Sequence, residues 1–270
     1  MPSVAAGRAD TPGSEAAPFH WTSASRSHPG LVREVNEDAC LEQPHCGVWA
    51  VADGMGGHSL GEFASRLAIR SLMDLPLEGA LEERATAAEK RLLDTNRRLR
   101  AEAERRDVPV IGTTIAALLV AGSRFACVWA GDSRIYLLRG GRLHQLTRDH
   151  SQLEAVRAMH VDSGDITLDR PPSNVITRAL GGQDELELDA VGADLIDGDI
   201  FLLCSDGLSN EVSEAAIVDS LLHGNCSLAA EALVDLALER GGHDNITAVV
   251  VRADDLSSPD RTVLHPVVGS

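Results

Sequence analysis

Long apolar runs, lysines and paired cysteines are scarce in this sequence, and each shortage excludes a class of protein or site. No uninterrupted apolar run approaches the ~18–20 residues of a membrane-spanning helix, and the longest candidate, residues 115–121, fits a buried strand. The N-terminus lacks a charged segment followed by an apolar core, so we expect no secretory signal and a cytoplasmic protein. Lys90 is the only lysine, and any chemistry that needs a lysine would have to use it.

The five cysteines form an odd set with no CxxC pair. Three of them lie in apolar, strand-like runs, which indicates reduced residues in or near the core of a protein from a reducing compartment. The ligand spacing of a zinc site is also missing. We therefore expect free thiols and no zinc.

Basic side chains are in the minority, with 24 Lys and Arg against 41 Asp and Glu. The net charge of -17 disfavours nucleic acid and anionic membranes as partners, because both require a basic face. With 44% hydrophobic residues, the chain can bury a sizeable core, in one large domain or two small ones. We expect a monomer that binds neither nucleic acid nor membrane.

The order of the periodic segments predicts an α+β fold built in layers. Residues 1–18 are rich in Ala, Gly, Pro and Ser, which is typical of a disordered tail, and residues 254–270 form a second, polar tail. Helical periodicity predicts helices over residues 62–75 and 81–106. Strands dominate the middle of the chain and helices stand at separate places, which is unlike the alternation of βαβ units.

Several short apolar runs in the second half predict strands. Four of them cover residues 112–120, 124–130, 135–139 and 142–146. Glycine-containing turns separate these runs, which favours an antiparallel meander. A polar segment follows, residues 148–174, which is either a lid or a plain surface loop. Residues 175–180 then predict a further strand.

An apolar run, residues 48–52, ends on Asp53, and glycines follow at once. A buried strand would deliver the carboxylate to its end, where glycines let the backbone turn sharply. Taken alone, Asp-Gly is a common turn signal with a solvated side chain. The same pattern recurs, however, at Asp132, Asp206 and Asp244, and an acidic pair, Glu37-Asp38, precedes another strand.

Acidic residues gathered at strand ends require positive charge between them, since clustered carboxylates repel and raise one another's pKa. A pair of divalent cations would resolve that repulsion. The candidate ligands are all oxygens, without Cys or His, and such a set suits Mg²⁺ or Mn²⁺ and not Zn²⁺.

Seven short motifs stand in one order over residues 21–252. They are Arg33, Asn36-Glu37-Asp38, Asp53-Gly54-Met55-Gly56-Gly57, Gly112-Thr113-Thr114, Gly131-Asp132-Ser133-Arg134, Ser205-Asp206-Gly207-Leu208 and Asp244-Asn245. The ordered set resembles the bacterial PP2C-type metal-dependent serine/threonine protein phosphatases (PPM family). The resemblance implies an α-β-β-α sandwich of two antiparallel sheets flanked by helices. It also implies one phosphatase domain over residues 19–253, with a flap at about residues 148–174.

The resemblance implies a dinuclear Mn²⁺ or Mg²⁺ site at which an activated water hydrolyses phosphoserine or phosphothreonine on proteins. Asp53 would bridge the two metals. The carbonyl of Gly54 and the side chain of Glu37 would bind one metal, and Asp206 and Asp244 would bind the other.

The same resemblance gives roles to three further residues. Asp38 would orient water at the metals, Asp132 would help to hold a weaker third metal, and Arg33 would grip the substrate phosphate with its planar, always-charged fork. Two positions depart from the pattern. Met55 stands where animal members carry a histidine proposed as general acid, and Asn210 stands where some members have an acid that aids the third metal.

The implied partners are phosphorylated proteins, among them a cognate Ser/Thr kinase and its targets. Residues 41–61 are similar to phosphatases encoded with type VI secretion systems. One alternative is a phosphatase-like binding or regulatory module that has lost catalysis, although the intact acids argue against it. Another is a haloacid-dehalogenase-type phosphatase, which residues 193–199 imitate without the expected threonine or a downstream lysine.

Overall fold

Two antiparallel β-sheets lie face to face in the computed structural model, which describes residues 19–57, 59–154, 156 and 175–256. The predicted N-terminal tail, His58, most of the predicted flap and residues 257–270 lie outside these ranges. Among the described residues, no helix is long and apolar enough to cross a membrane.

The first sheet has five strands, and its order places the last strand of the chain beside the first. Its strands in spatial order are β1 (Phe19–His28), β11 (Ile246–Asp255), β10 (Ile200–Cys204), β7 (Arg134–Arg139) and β8 (Arg142–Gln145). All neighbours in this sheet are antiparallel.

The second sheet has six strands. Five of them, in spatial order, are β2 (Asp38–Gln43), β3 (Val48–Met55), β5 (Ile115–Ala121), β6 (Arg124–Ala130) and β9 (Asp189–Asp194). The sixth, β4 (Gly112–Thr113), pairs with the end of β3. A single 3-10 turn, Pro44–Cys46, joins β2 to β3.

Helices cover the outer face of each sheet. The six-stranded sheet carries α1 (Ser59–Met73) and α2 (Leu81–Arg106), and the five-stranded sheet carries α4 (Glu214–Leu222) and α5 (Cys226–Glu239). A one-turn helix, α3 (Asp206–Ser209), follows β10 directly.

The alternation of side chains along the strands builds three apolar layers. Trp49 and Val51 of β3 face the other sheet, whereas Val48, Ala50 and Ala52 face the helices. Such strands are apolar on both faces because both faces are buried. The sandwich predicted from the sequence, α-β-β-α with two antiparallel sheets, is thereby confirmed.

Two predictions about strands were wrong. The expected meander is divided, because β5 and β6 belong to one sheet and β7 and β8 to the other. The chain changes sheets at Gly131, which has a positive φ of 114° and lies so close to Thr114 that a Cβ would come within 2.6 Å of that side chain. Residues 175–180 form no strand and make only isolated bridges, from Ile176 and Leu180.

Candidate active site

The β2–β3 hairpin places two acids opposite each other at one edge of the sheet. Its register pairs Asp38 with Asp53, at the far end from the turn that joins the strands. Asp38 is 7% exposed, and Asp53 is half-buried. The hairpin therefore presents two carboxylates side by side, one inside the protein and one at its rim.

The backbone at the end of β3 is held by two buried threonines. The N–H of Asp53 donates to the hydroxyl of Thr114 at 2.9 Å, and its carbonyl accepts from the Thr113 hydroxyl at 2.9 Å and the Thr114 N–H at 2.8 Å. The Thr114 hydroxyl also lies 2.7 Å from that of Ser133. The two threonines thus fix the position from which the Asp53 side chain extends.

Glu37 lies next to Gly54 because two glycines, Gly54 and Gly61, let the backbones approach closely. A Cβ on Gly54 would lie 2.2 Å from the carbonyl oxygen of Gly61, and a Cβ on Gly61 would lie 2.5 Å from Oε1 of Glu37. The N–H of Gly54 donates to the Glu37 carbonyl at 3.2 Å. Glycine at both positions lets the Glu37 carboxylate fit between β3 and α1.

The other sheet supplies two acids at the same edge. Asp206 begins α3 immediately after β10, and Asp244 precedes β11, which is the neighbour of β10. A Cβ on Gly207 would lie 2.1 Å from the carbonyl oxygen of Asn245, so the two segments touch through backbone alone. Antiparallel pairing therefore brings residues that are far apart in sequence to one place.

Asp38 links the two sheets at the site. Its Oδ2 accepts hydrogen bonds from the hydroxyls of Ser205 at 2.8 Å, just after β10, and of Thr247 at 2.6 Å, on β11 of the opposite sheet. Among the described residues, its buried Oδ1 has no hydrogen-bond partner. Burial, together with the charges of the nearby Asp206 and Asp244, raises the pKa of Asp38 to about 7, against the effect of the two hydroxyls.

The pKa values of Asp53, Asp206 and Asp132 are raised as well. Burial raises the pKa of Asp53 well above its usual range, and the charges of Asp38 and Asp206 add to the shift. Burial and then Asp244 raise the pKa of Asp206, against the effect of the neighbouring Asp53 and Asn210 side chains. Burial, followed by Asp206, raises the pKa of Asp132 to about 7. These carboxylates repel one another, as the sequence led us to expect.

Arg33 lies on the rim of this acidic cluster. Its Nε and Nη2 donate to the two carboxylate oxygens of Asp244, at 2.9 and 2.8 Å, and this pairing raises the pKa of Arg33. The charges of Glu37 and Asp53 also contribute to the raised pKa of this guanidinium. The side chain of Arg33 is 57% exposed, so it can reach solvent and the acids at the same time.

One buried amide holds the segment that carries Arg33 and Glu37. Nδ2 of Asn245 donates to the carbonyls of Pro29 at 2.8 Å and Val35 at 3.0 Å, and its Oδ1 accepts from the N–H of Glu37 at 2.7 Å. Asn245 belongs to the last of the seven motifs, and no role was predicted for it. Its only sequence signal is its place directly after Asp244 and before a strand.

The two positions that depart from the family pattern are both at the site. Nδ2 of Asn210 donates to Oδ2 of Asp206 at 3.2 Å. Met55 is half-buried at the end of β3, where its side chain packs against Gly112. Asn210 therefore contacts one of the clustered acids directly, and Met55 contributes no proton donor.

The donor set fits hard divalent cations by its chemistry. Among the described residues, no three acidic, histidine or cysteine side chains form a ready-made metal-binding group, and Arg33 occupies both oxygens of Asp244. However, the buried Oδ1 atoms of Asp38 and Asp132 have no partner among those residues. The charge of Asp206 raises the pKa of Asp53, and a cation bound between the two carboxylates would remove that repulsion. Oxygen ligands with such unmet charge suit Mg²⁺ or Mn²⁺.

Comparisons with known proteins agree on one family. The family model described as protein phosphatase 2C matches residues 31–239. The chain is 39% identical over 237 residues to the serine/threonine protein phosphatase PstP of Mycobacterium tuberculosis. That match covers 86% of this chain and 45% of the relative, so the chain spans less than half the length of PstP.

Two solved structures are similar over nearly their whole length. One is PppA, described as a key regulatory component of the type VI secretion system in Pseudomonas aeruginosa, with a TM-score of 0.81 and 44% identity over 87% of this chain and 98% of that one. The other is the catalytic domain of PstP in complex with two manganese ions. Its TM-score is 0.77, at 40% identity over 88% of this chain and 100% of that one.

Proposed function

Because this chain belongs to the protein phosphatase 2C family, we propose that it hydrolyses phosphoserine and phosphothreonine on proteins with the help of bound Mn²⁺ or Mg²⁺. The observation that supports this most is the cluster of acids with raised pKa values at one edge of the two sheets, beside an exposed arginine. The mycobacterial structure with two manganese ions supports the metal dependence.

The acids would bind two cations, and Asp53 would be a ligand of both. Glu37 and the carbonyl of Gly54 would hold one, and Asp206 and Asp244 would hold the second. When bound, the ions supply an activated water and neutralise charge that develops on the phosphoryl oxygens.

Three other residues act on the substrate, on water or on a weaker third cation. Arg33 exchanges one or both of its hydrogen bonds with Asp244 for the phosphoryl oxygens of the substrate, which its planar fork matches. Asp38, anchored by Ser205 and Thr247, would accept a hydrogen bond from water at the metals. Asp132 would help to hold a third cation, which would bind weakly because the amide of Asn210 carries no charge.

Metal-dependent turnover is the direct test. We expect hydrolysis of a phosphothreonine peptide and of p-nitrophenyl phosphate with added Mn²⁺ or Mg²⁺, and none in excess EDTA. Asp53→Asn should remove activity, whereas Asp235→Asn, at an exposed position on α5, should not. Full activity in EDTA would contradict the metal mechanism. Metal binding without turnover on any phosphopeptide would favour the inactive binding module instead.

We further infer that the chain opposes a Ser/Thr kinase in a pathway related to type VI secretion. The 44% identity to PppA supports this, as does the similarity of residues 41–61. A deletion strain should accumulate phosphorylation on a kinase and on secretion components relative to its parent. Complementation with the intact gene should reverse this, and complementation with Asp53→Asn should not. An unchanged phosphoproteome, or changes confined to unrelated proteins, would refute the assignment.

A further inference from the structure

A basic groove follows the outer helices of a chain whose net charge is -17. It consists of two adjoining clefts that share Arg70. The first has a volume of about 260 Å³ and follows α1 from Ser59 to Arg70. The second, of about 510 Å³, continues between the last turn of α1 and the middle of α2.

Six basic side chains line this groove: Arg66, Arg70, Lys90, Arg91, Arg97 and Arg98. Arg66 pairs with Glu62 at 2.7 Å, and Arg97 pairs with Asp94 at 3.0 Å. Arg91 donates to two backbone carbonyls at the end of α1. These three cations already have partners within the protein.

The other three cations have none within the part of the chain that the structure describes. The side chains of Arg70, Lys90 and Arg98 are exposed, and no ion pair or hydrogen bond engages them there. Lys90, the single lysine of the chain, is one of the three. Unpaired cations along a cleft attract a ligand that carries several negative charges.

The groove starts beside the candidate active site. Gly57 lines a cleft together with Arg33 and Glu37, and α1, which forms one wall of the groove, begins two residues later at Ser59. At ~1.5 Å of rise per residue, Arg70 lies roughly 16 Å farther along α1. An extended peptide covers that distance with about five residues.

We propose that the basic groove binds an acidic segment of the phosphoprotein substrate, within about ten residues of the phosphorylated side chain. The inference rests on the proposed phosphatase function. The occupant is a peptide, because the groove extends along two helices and begins at Ser59, two residues after Gly57 of the cleft at Arg33. It is acidic because, among the described residues, three free cations outnumber the one unpaired carboxylate of the lining, Asp74. Charge complementarity of this kind selects among substrates and speeds their association.

The test compares binding of two fluorescent phosphothreonine peptides by anisotropy in EDTA. One peptide has Asp and Glu at several flanking positions, and the other has Asn and Gln there. Two or three exposed ion pairs correspond to about three- to thirty-fold in affinity. We expect a preference of that size for the acidic peptide at low salt, reduced at ~0.5 M salt by screening.

Charge reversal locates the preference on the molecule. Lys90→Glu combined with Arg98→Glu should abolish it. The matched control, Arg26→Glu combined with Arg142→Glu, changes charge equally at exposed positions on the five-stranded sheet and should preserve most of it. Equal affinity of the unmodified chain for both peptides would overturn the proposal, as would an equal loss in the two double variants.

Turnover separates this inference from the function on which it rests. With Mn²⁺, the Lys90/Arg98 variant should lose the preference in kcat/KM between the peptides and keep its activity on p-nitrophenyl phosphate. If the unmodified chain hydrolyses nothing, the proposed function fails. The binding preference in EDTA still decides whether the groove takes an acidic segment.

Discussion

Replacing Asn245 with alanine should loosen the segment that carries Arg33 and Glu37. The amide is 5% exposed and makes three hydrogen bonds to backbone atoms of residues 29–37. Each such bond contributes about 0.5–1.5 kcal/mol net, and groups left unpaired in the interior cost more. We therefore expect Asn245→Ala to lower the free energy of unfolding by roughly 2–4 kcal/mol.

Thermal denaturation in EDTA measures this loss. For a domain of this size, a change of 1 kcal/mol moves Tm by roughly 2–4 °C, so the shift should be roughly 5–15 °C. Asn225→Ala is a matched control, since that asparagine caps α5 with one hydrogen bond of 3.0 Å. It should lose only ~1 kcal/mol.

Kinetics then show whether the buried amide matters to the site. Asn245→Ala should raise the Mn²⁺ concentration needed for half-maximal activity and the KM for a phosphopeptide, because Glu37 and Arg33 are no longer held. Asn225→Ala should leave both unchanged. If Asn245→Ala were no less stable than the Asn225 variant, with normal kinetics, the role given to this hydrogen-bond network would be refuted.

Three other predictions concern single side chains. Arg33→Ala should raise KM for phosphorylated substrates tenfold or more, because a charge-assisted hydrogen bond is worth ~1.5–3 kcal/mol; unchanged kinetics with a slightly lower Tm would leave only a surface ion pair with Asp244. Asp53→Asn should nearly abolish turnover, whereas Asp132→Ala should mainly change the dependence of rate on Mn²⁺ concentration; equal losses in both would contradict the assignment. Burial lowers the pKa of His150, so the unfolded chain binds a proton first and stability falls as pH drops through about 6.5. Denaturation midpoints at pH 7.5 and 5.5 should therefore differ more for the unmodified chain than for His150→Asn.

Segments with one clear periodicity were predicted closely from the sequence. The helix over residues 81–106 and the strand over residues 124–130 have the bounds of α2 and β6. Residues 175–180 were wrongly predicted as a strand because Ala179 and Leu180 are buried without belonging to a β-strand. An apolar pattern indicates burial, and burial alone does not distinguish a strand from a packed loop.

The candidate site was also predicted only in part from the sequence. The acids could be found because each ends or precedes an apolar run, and their order along the chain resembles one family. The partners that position them could not, since Asp38 meets Ser205 and Thr247 across 167 and 209 residues of sequence. Nothing local to a serine or threonine tells which distant carboxylate it will contact.

The turn between β2 and β3 sets the register that places Asp38 opposite Asp53 at the site. Asp38 and Asp53 face each other only because the strands pair from Gln43 and Val48 onward in a fixed register. Five steps of ~3.4 Å put that turn roughly 17 Å from the acids. Deleting one residue there would shift one strand past the other and turn its alternate side chains to the opposite face. A change in the length of Pro44–Cys46 would therefore alter the pairing of Asp38 with Asp53, although no side chain of the site itself had changed.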